Sequence, residues 1–236
     1  MKACVVGYGA MGKIISDCLG SDLAYNVAIE LDNKNFDNIK DKIDVIIDFS
    51  NPANLDMIIK YAKSTKTPVV FATTGYNEEE LKKIDELLKE VAVLRSANFS
   101  LGVIVLNRLV KEITPLLEGY DIEIVEAHHN KKVDAPSGTA KMLLKSAMDA
   151  TGYVAHEGRN GYSPRTKNEI GVHAVRGGTI VGEHEVMYCG LDEVITLKHS
   201  AQSKKIFATG AVRAAKWLCN QKPGFYNMED VLFGNK

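Results

Sequence analysis

The chain lacks a net charge of either sign, a paired cysteine motif and a long apolar run, and each absence narrows what it can do. Its 29 basic and 30 acidic side chains leave a formal net charge of −1, so composition gives no argument for a nucleic-acid or acidic membrane partner. Cys4, Cys18, Cys189 and Cys219 form no CxxC pair and fit no common zinc spacing. None has an activating neighbour in sequence, so all four read as reduced thiols rather than disulfides or nucleophiles. No stretch reaches the roughly 18 apolar residues of a membrane span. The opening MKACVVGYGAMG breaks into glycines where a signal peptide would stay apolar. Repeats and low-complexity tracts are absent. The expectation is a cytoplasmic protein with neither membrane nor nucleic-acid partners, and 236 residues suffice for one large domain or two modest ones.

What is present divides in two. As far as residue 99, apolar strands alternate with amphipathic helices. Strand candidates are KACVV, YNVAIEL, IDVIIDFS, TPVVFATTG and VAVLRSANFS. Between them, NPANLDMIIKYAKS reads as a helix capped by Asn51 with Pro52 at its first position. NEEELKKIDELLKE reads as a solvated helix with acids at its start. This alternation predicts a parallel sheet wound with helices on both faces. The pattern changes near Asn98–Leu101. LGVIVLNRLVKEITPLL is a long helix. YDIEIVEAHHN is a period-two strand with Ile122, Ile124, Glu126 and His128 on one face. TAKMLLKSAMDAT is a helix ending at Gly152. Tyr153–Gly171 lacks periodicity and reads as a long surface loop. IGVHAVR, GEHEVMYC and VITLKHSA are strands whose short turns favour antiparallel or mixed pairing. IFATGAVRAAKWLCN is a last helix, followed by a tail. The fold class expected is α/β: a Rossmann-type parallel sheet domain plus a second α+β domain with a mixed sheet.

The first strand runs into Gly7, Gly9 and Gly12, the GxGxxG loop of a dinucleotide-binding βαβ unit. Gly7 allows the tight turn, Gly9 lets backbone approach a pyrophosphate, and Gly12 lets helix and strand pack closely. Ala10 and Met11 then begin a helix whose unpaired amides face the phosphates. Glu30, about 20 residues on, has the spacing of the acid that holds the adenosine ribose, with Asp32 as the spare. An acid there repels a 2′-phosphate, which favours NADH over NADPH. Ala72, Thr73, Thr74 and Gly75 lie at the C-terminal end of a strand, where parallel sheets bind ligands; both threonines suit either nicotinamide contacts or helix capping.

EAHHNKKVDAPSGTA, Glu126 to Ala140, carries the acid–base chemistry. His128 and His129 are adjacent, so on a continuing strand they face opposite ways. An imidazole suits proton transfer near neutrality. Lys131 and Lys132 add positive charge. Pro136, Ser137, Gly138 and Thr139 set free amides and hydroxyls at a helix start, an anion site. The combination implies carboxylate binding beside an acid–base group. His128, His129 and Glu126 match no standard metal spacing, so no metal is expected.

With GYGAMG, DFSNP, ATTG, SANFSLG, RGGTIVGEHEV and GAVRAAKWL in order around that segment, the chain resembles the dihydrodipicolinate reductases, also called 4-hydroxy-tetrahydrodipicolinate reductases, of bacterial lysine biosynthesis. The resemblance covers essentially the whole chain. It implies reduction of a small cyclic dicarboxylate by hydride from NADH or NADPH, with loss of water. It places the acid–base role on His128, with Lys132, and substrate contacts on His129, Lys132, Gly138 and Thr139. It adds Ala97, Asn98 and Phe99 to the cofactor site. Which of His128 and Lys132 delivers the proton stays open. The resemblance further implies a homotetramer assembled through the second domain's sheet. It gives a dinucleotide domain of residues 1–99 completed by 206–236, and a substrate-binding and oligomerisation domain of residues 100–205. With cofactor and substrate sites in different domains, hydride transfer needs closure. Many relatives carry an arginine in HSAQSKK, where this chain has Lys204 and Lys205, which keep charge but not bidentate geometry.

Overall fold

The computed structural model describes residues 1–27 and 36–234. In chain order the first elements are β1 (Ala3–Val6), α1 (Ala10–Leu19), β2 (Leu23–Val27), β3 (Val45–Asp48), α2 (Leu55–Thr65), β4 (Val69–Phe71), α3 (Glu78–Leu87) and β5 (Ala92–Arg95). Then come α4 (Leu101–Ile113), β6 (Asp121–His128), α5 (Gly138–Thr151), β7 (Val154–Glu157), β8 (Glu169–Arg176), β9 (Gly182–Cys189) and β10 (Val194–Ala201). The chain closes with α6 (Lys205–Leu218), β11 (Gly224–Tyr226) and α7 (Met228–Phe233). Two compact units result: Met1–Leu101 with Lys205–Lys236, and Gly102–Lys204.

The first unit is a parallel sheet ordered β11-β5-β4-β3-β1-β2. β1, β3 and β4 are buried along their whole length, which is why they read as continuous apolar runs rather than alternating ones. Cys4, Val6, Ile46, Phe71 and Val93 pack with Leu55 and Ile58 of α2 and with Ile84 and Leu87 of α3. Val5, of the opposite parity, lies beside Gly12 of α1, and α6 packs on β3, β4 and β5. Helices therefore cover both faces, and each fully buried side chain such as Ile46 or Phe71 contributes about 1.5–3 kcal/mol. Local signals set the helix starts. Asn77 and Glu80 form a reciprocal capping box on α3. Asn51 accepts from the Ala53 amide, but the turn it opens, Pro52–Asn54, is 3₁₀ and α2 begins only at Leu55.

The second unit is a mixed sheet ordered β10-β9-β6-β8-β7. β6 runs parallel to β8 and antiparallel to β9. Its inner face, Ile122, Ile124, Ile170, Val172, Val186 and Tyr188, packs on Leu106 and Val110 of α4 and on Leu143 and Ala147 of α5. Gly152, in the left-handed region at φ 72°, ends α5.

Two stretches depart from the sequence expectation. Tyr153–Gly171 is not one long loop: β7 lies inside it, and β8 starts at Glu169. The tail adds β11 to the edge of the first sheet beside β5 and then forms α7. Both strands are three or four residues long at a sheet edge, too short for a periodicity to show. Arg159 and Arg165 clamp the segment after β7 onto Glu169 and Glu123. Burial alone would raise the Glu169 carboxyl, but the amide and hydroxyl of Thr166 and the Arg159 guanidinium hold it down to about 2.

Gly210 sets how closely α6 approaches the chain beyond β5. A Cβ there would lie 1.7 Å from the Phe99 carbonyl oxygen. Gly210→Ala is expected to destabilise the first unit by about 1–3 kcal/mol, seen as a lower urea midpoint for its cooperative unfolding.

Candidate active site

At the C-terminal end of the first sheet, β1 turns at Gly7 with φ 101°. A Cβ on Gly7 would sit 2.5 Å from the Phe49 carbonyl oxygen, and one on Gly12 only 2.0 Å from that of Gly7. Both glycines are therefore required by the protein's own packing. Gly9 differs: a Cβ there would meet nothing within 4 Å, so the protein's own packing does not require glycine at that position. Gly9 is the α1 N-cap, makes no side-chain cap bond, and is followed by a first turn without acids. Ala10 is exposed and Met11 half-buried beside it. Unpaired amides at the positive end of the α1 dipole fit a pyrophosphate. Lys13 holds its ammonium 5.4 Å from the centre of the exposed Tyr8 ring.

Beneath this edge lies a polar knot around Asp48, which is fully buried. Its carboxylate accepts from the Ser50 hydroxyl at 2.5 Å and the Tyr76 phenol at 2.9 Å. Burial raises the Asp48 carboxyl above its ordinary range, against the stabilising donors Ser50, Thr73 and Tyr76. The buried Thr73 oxygen accepts from the Ser50 amide at 2.8 Å, so this hydroxyl ties two loops together. Thr74 and Gly75 are exposed and Ala72 half-buried. Thr73, Thr74, Gly75, Arg95 and Ala97 line a cavity of about 390 Å³. Asn98 accepts from the Ser100 amide, and Phe99 is buried with its ring 5.7 Å from that of Phe49. Glu30 and Asp32 lie outside the described residues.

In the second unit the charged residues gather at one end of the sheet. β6 is apolar at Ile122 and Ile124, then presents Glu126 and His128 on the same face. Glu126 is fully buried, and its two oxygens accept four hydrogen bonds. Oε1 takes the Ser137 amide at 3.0 Å and an Arg176 nitrogen at 2.8 Å. Oε2 takes His128 Nδ1 at 2.6 Å and the other Arg176 nitrogen at 2.8 Å. Burial alone would raise this carboxyl, but Arg176, His128 and the Ser137 amide hold it below the ordinary carboxylate range. An ionised carboxylate only accepts, so the hydrogen-bond network assigns a proton to His128 Nδ1. Nε2 is then the ring nitrogen turned away from the carboxylate. It lies over Gly182, where a Cβ would be 3.1 Å away.

Ser137 caps α5: its oxygen accepts from the Ala140 amide at 3.2 Å and pairs with His184 Nε2 at 2.8 Å. Gly138 is exposed and Thr139 half-buried at the helix start. His184 is buried, edge-on to the His128 ring at 5.2 Å. Burial first, then the charge of His128, pushes its imidazole down to about 4. His129 is half-buried just beyond the strand end. Lys132 extends its ammonium to Asp134 at 2.7 Å. Lys131, Lys204 and Lys205 are exposed. The fold thus gathers His128, Lys132 and the α5 start in one unit and the glycine loop in the other.

Arg176 and His184 escaped the sequence reading. Both have the parity of the buried face: Arg176 follows Ile170 and Val172 on β8, and His184 precedes Val186 and Tyr188 on β9. Both lie in the RGGTIVGEHEV segment quoted above, and that parity was a second signal for them.

A doubly wound nucleotide-type unit joined to a mixed-sheet unit with a carboxylate-bound histidine and a capped helix start is the architecture of a two-domain oxidoreductase class. Comparison with known proteins is more specific. Residues 1–99 match the family described as dihydrodipicolinate reductase, N-terminus, and residues 102–232 that described as dihydrodipicolinate reductase, C-terminus. The chain is 44% identical over 238 residues to the 4-hydroxy-tetrahydrodipicolinate reductase of Clostridium novyi (strain NT), covering 95% of this chain and 94% of that one. It is 48% identical over 241 residues to that of Caldanaerobacter subterraneus subsp. tengcongensis, with coverage of 95% and 94%. Its fold resembles that of a dipicolinate-bound dihydrodipicolinate reductase from Paenisporosarcina sp. TG-14, with a TM-score of 0.79 at 19% identity over 98% and 99% of the two chains. A myo-inositol dehydrogenase from Corynebacterium glutamicum ATCC 13032 shares the fold more loosely, with a TM-score of 0.56 at 16% identity over 99% and 93%. The chain belongs to the dihydrodipicolinate reductase family.

The neutral, buried His184 makes stability depend on pH. Its folded pKa of about 4 lies below the unfolded value of about 6.5. Between these values the unfolded chain binds the extra proton, so stability is complete above about pH 6.5 and falls as pH drops towards 4. The His184 contribution, read as the difference in urea-unfolding free energy between wild type and His184→Gln, is expected to be a loss of roughly 2 kcal/mol between pH 7 and pH 5. His184→Gln is expected to flatten that slope.

Proposed function

We propose that the chain reduces 4-hydroxy-tetrahydrodipicolinate to tetrahydrodipicolinate, with loss of water, in the diaminopimelate branch of lysine biosynthesis. The observation that carries this reading is a Glu126-held imidazole beside a capped helix start and a lysine, in a chain of this family. The substrate is a dianion. Gly138 and Thr139 at the α5 N-terminus would hold one carboxylate through amides and a hydroxyl. Lys132 and His129 would face the remaining negative charge. Reduction of an unsaturated ring carbon leaves electron density that a proton must meet, and His128, as the imidazolium with Nδ1 held by Glu126, would give it from Nε2. Lys132 is the alternative donor, and protonated His128 also favours dianion binding.

The glycine loop fits a nicotinamide dinucleotide, because the space over Gly9 is open and the α1 amides are unpaired. Gly7, Gly9, Ala10, Met11 and Gly12 would hold the pyrophosphate. Ala72 to Gly75 and Ala97 to Phe99 would surround the nicotinamide end. Since the Thr73 oxygen already serves Ser50, Thr74 is the threonine left for contact. Bound NADH or NADPH supplies the hydride. Glu30 favours NADH, and use of both remains within the proposal. A homotetramer built through the second sheet is supported by that sheet's outer face, which leaves Val175 at 48% and Val194 at 58% exposure. Among the described residues no helix is long and apolar enough to cross a membrane, and a cytoplasmic location is proposed with the biosynthetic role.

The purified protein is expected to oxidise NADH or NADPH only after pyruvate and aspartate semialdehyde have been condensed enzymatically. No oxidation with either nucleotide would refute the assignment. His128→Gln is expected to lower kcat by roughly 100- to 1,000-fold while nucleotide affinity stays within about twofold. Equal loss of both would make His128 a structural residue.

A further inference from the structure

A single buried carboxylate touches both halves of the proposed site. Glu126 is fully buried, so it acts on the reaction only through its neighbours. Its Oε2 meets His128 Nδ1 at 2.6 Å, and its Oε1 meets the Ser137 amide at 3.0 Å. Ser137 is the residue that caps α5. Arg176 spans both oxygens from β8 at 2.8 Å each, so the carboxylate cannot turn without breaking several bonds together. We infer that Glu126 is a positioning residue for acid–base group and anion site at once, fixing the proton of His128 on Nδ1 while holding the entry to α5 at a set distance from that ring. The inference rests on the roles proposed above for His128 and the α5 start.

The demand is for a carboxylate rather than an amide. Gln at this position offers one accepting oxygen, where the native arrangement asks both oxygens to accept. If its oxygen stays on the Ser137 amide, its NH₂ faces His128 Nδ1 and favours the tautomer protonated on Nε2. If it turns, the Ser137 amide loses its buried acceptor and the helix entry is freed. Either way one half of the site is disturbed by a change at the other. The groups that face His128 and Glu126 are Arg176 from β8, His184 from β9 with His199 paired to it on β10, Ser137 at the α5 entry, and Lys132 with Asp134 on the intervening loop. His184 stays neutral near pH 7, so Glu126 is the only carboxylate hydrogen-bonded to the His128 ring among the described residues.

The test uses full-length protein labelled with nitrogen-15 histidine, with pyridine-2,6-dicarboxylate as the dianion probe. At alkaline pH, where imidazoles are neutral, wild-type His128 is expected to carry its proton on Nδ1. Glu126→Gln is expected to move that proton towards Nε2 or weaken the probe about tenfold. It should lower kcat about 100-fold, shift the pH–rate profile to lower pH, and leave nucleotide affinity unchanged. Wild-type His128 protonated on Nε2 would overturn the inference without any variant, which covers the case of a misfolded Glu126→Gln. A folded Glu126→Gln with unchanged tautomer, probe affinity and pH profile would overturn it as well. Wild-type protein that shows the Nδ1 proton yet reduces nothing would refute the proposed reaction and leave the positioning role standing.

Discussion

The four hydrogen bonds onto the buried Glu126 carboxylate are the interaction that organises the charged end of the second unit's sheet. A carboxylate taken out of water without partners would protonate or destabilise the fold. Arg176 at 2.8 Å on both oxygens supplies the opposite charge, and His128 and the Ser137 amide complete the shell. Removing one partner of such a buried pair typically costs about 3–5 kcal/mol, so the arrangement is held tightly. It also aims. With Nδ1 bound to the carboxylate, the imidazole can offer only Nε2, and Gly182 clears the space beside that atom.

The first unit solves a different problem. Its glycine loop must bring three backbone segments closer than side chains allow. The Gly7 and Gly12 positions are closed by Phe49 and by Gly7 itself, while a Cβ on Gly9 would meet nothing within 4 Å. The same three-glycine motif thus holds two glycines that the packing requires and one that it does not. The buried Asp48 knot beneath it ties the loop after β3 to the loop after β4 through Ser50, Thr73 and Tyr76. Rigidity at that edge follows from satisfied polar bonds rather than from apolar packing alone.

Much of this was legible in the sequence because it rests on local signals. Period two placed Ile122, Ile124, Glu126 and His128 on one face of β6. Glycine spacing after an apolar strand marked the β1–α1 turn. What escaped depends on register between distant segments. Arg176 reaches Glu126 across 50 residues of sequence, and only the pairing of β6 with β8 brings them together. His184 lies opposite Glu126 through β9 in the same way. Thr73 looked like a ligand contact or a cap because threonine does both, and nothing local tells that its oxygen serves Ser50. β7 and β11 were invisible because short edge strands carry no period.

The claim that binds these observations is that the dianion sits at the α5 start beside His128 and Lys132. Titration of pyridine-2,6-dicarboxylate into full-length protein, followed through its six histidines by NMR, tests it most directly. The signals of His128 and His129 are predicted to shift in a saturable manner. Those of His156 and His173, on the opposite face of the same sheet, are predicted to stay in place. Saturable shifts at His156 and His173 alone, or none at His128 and His129, would contradict the placement.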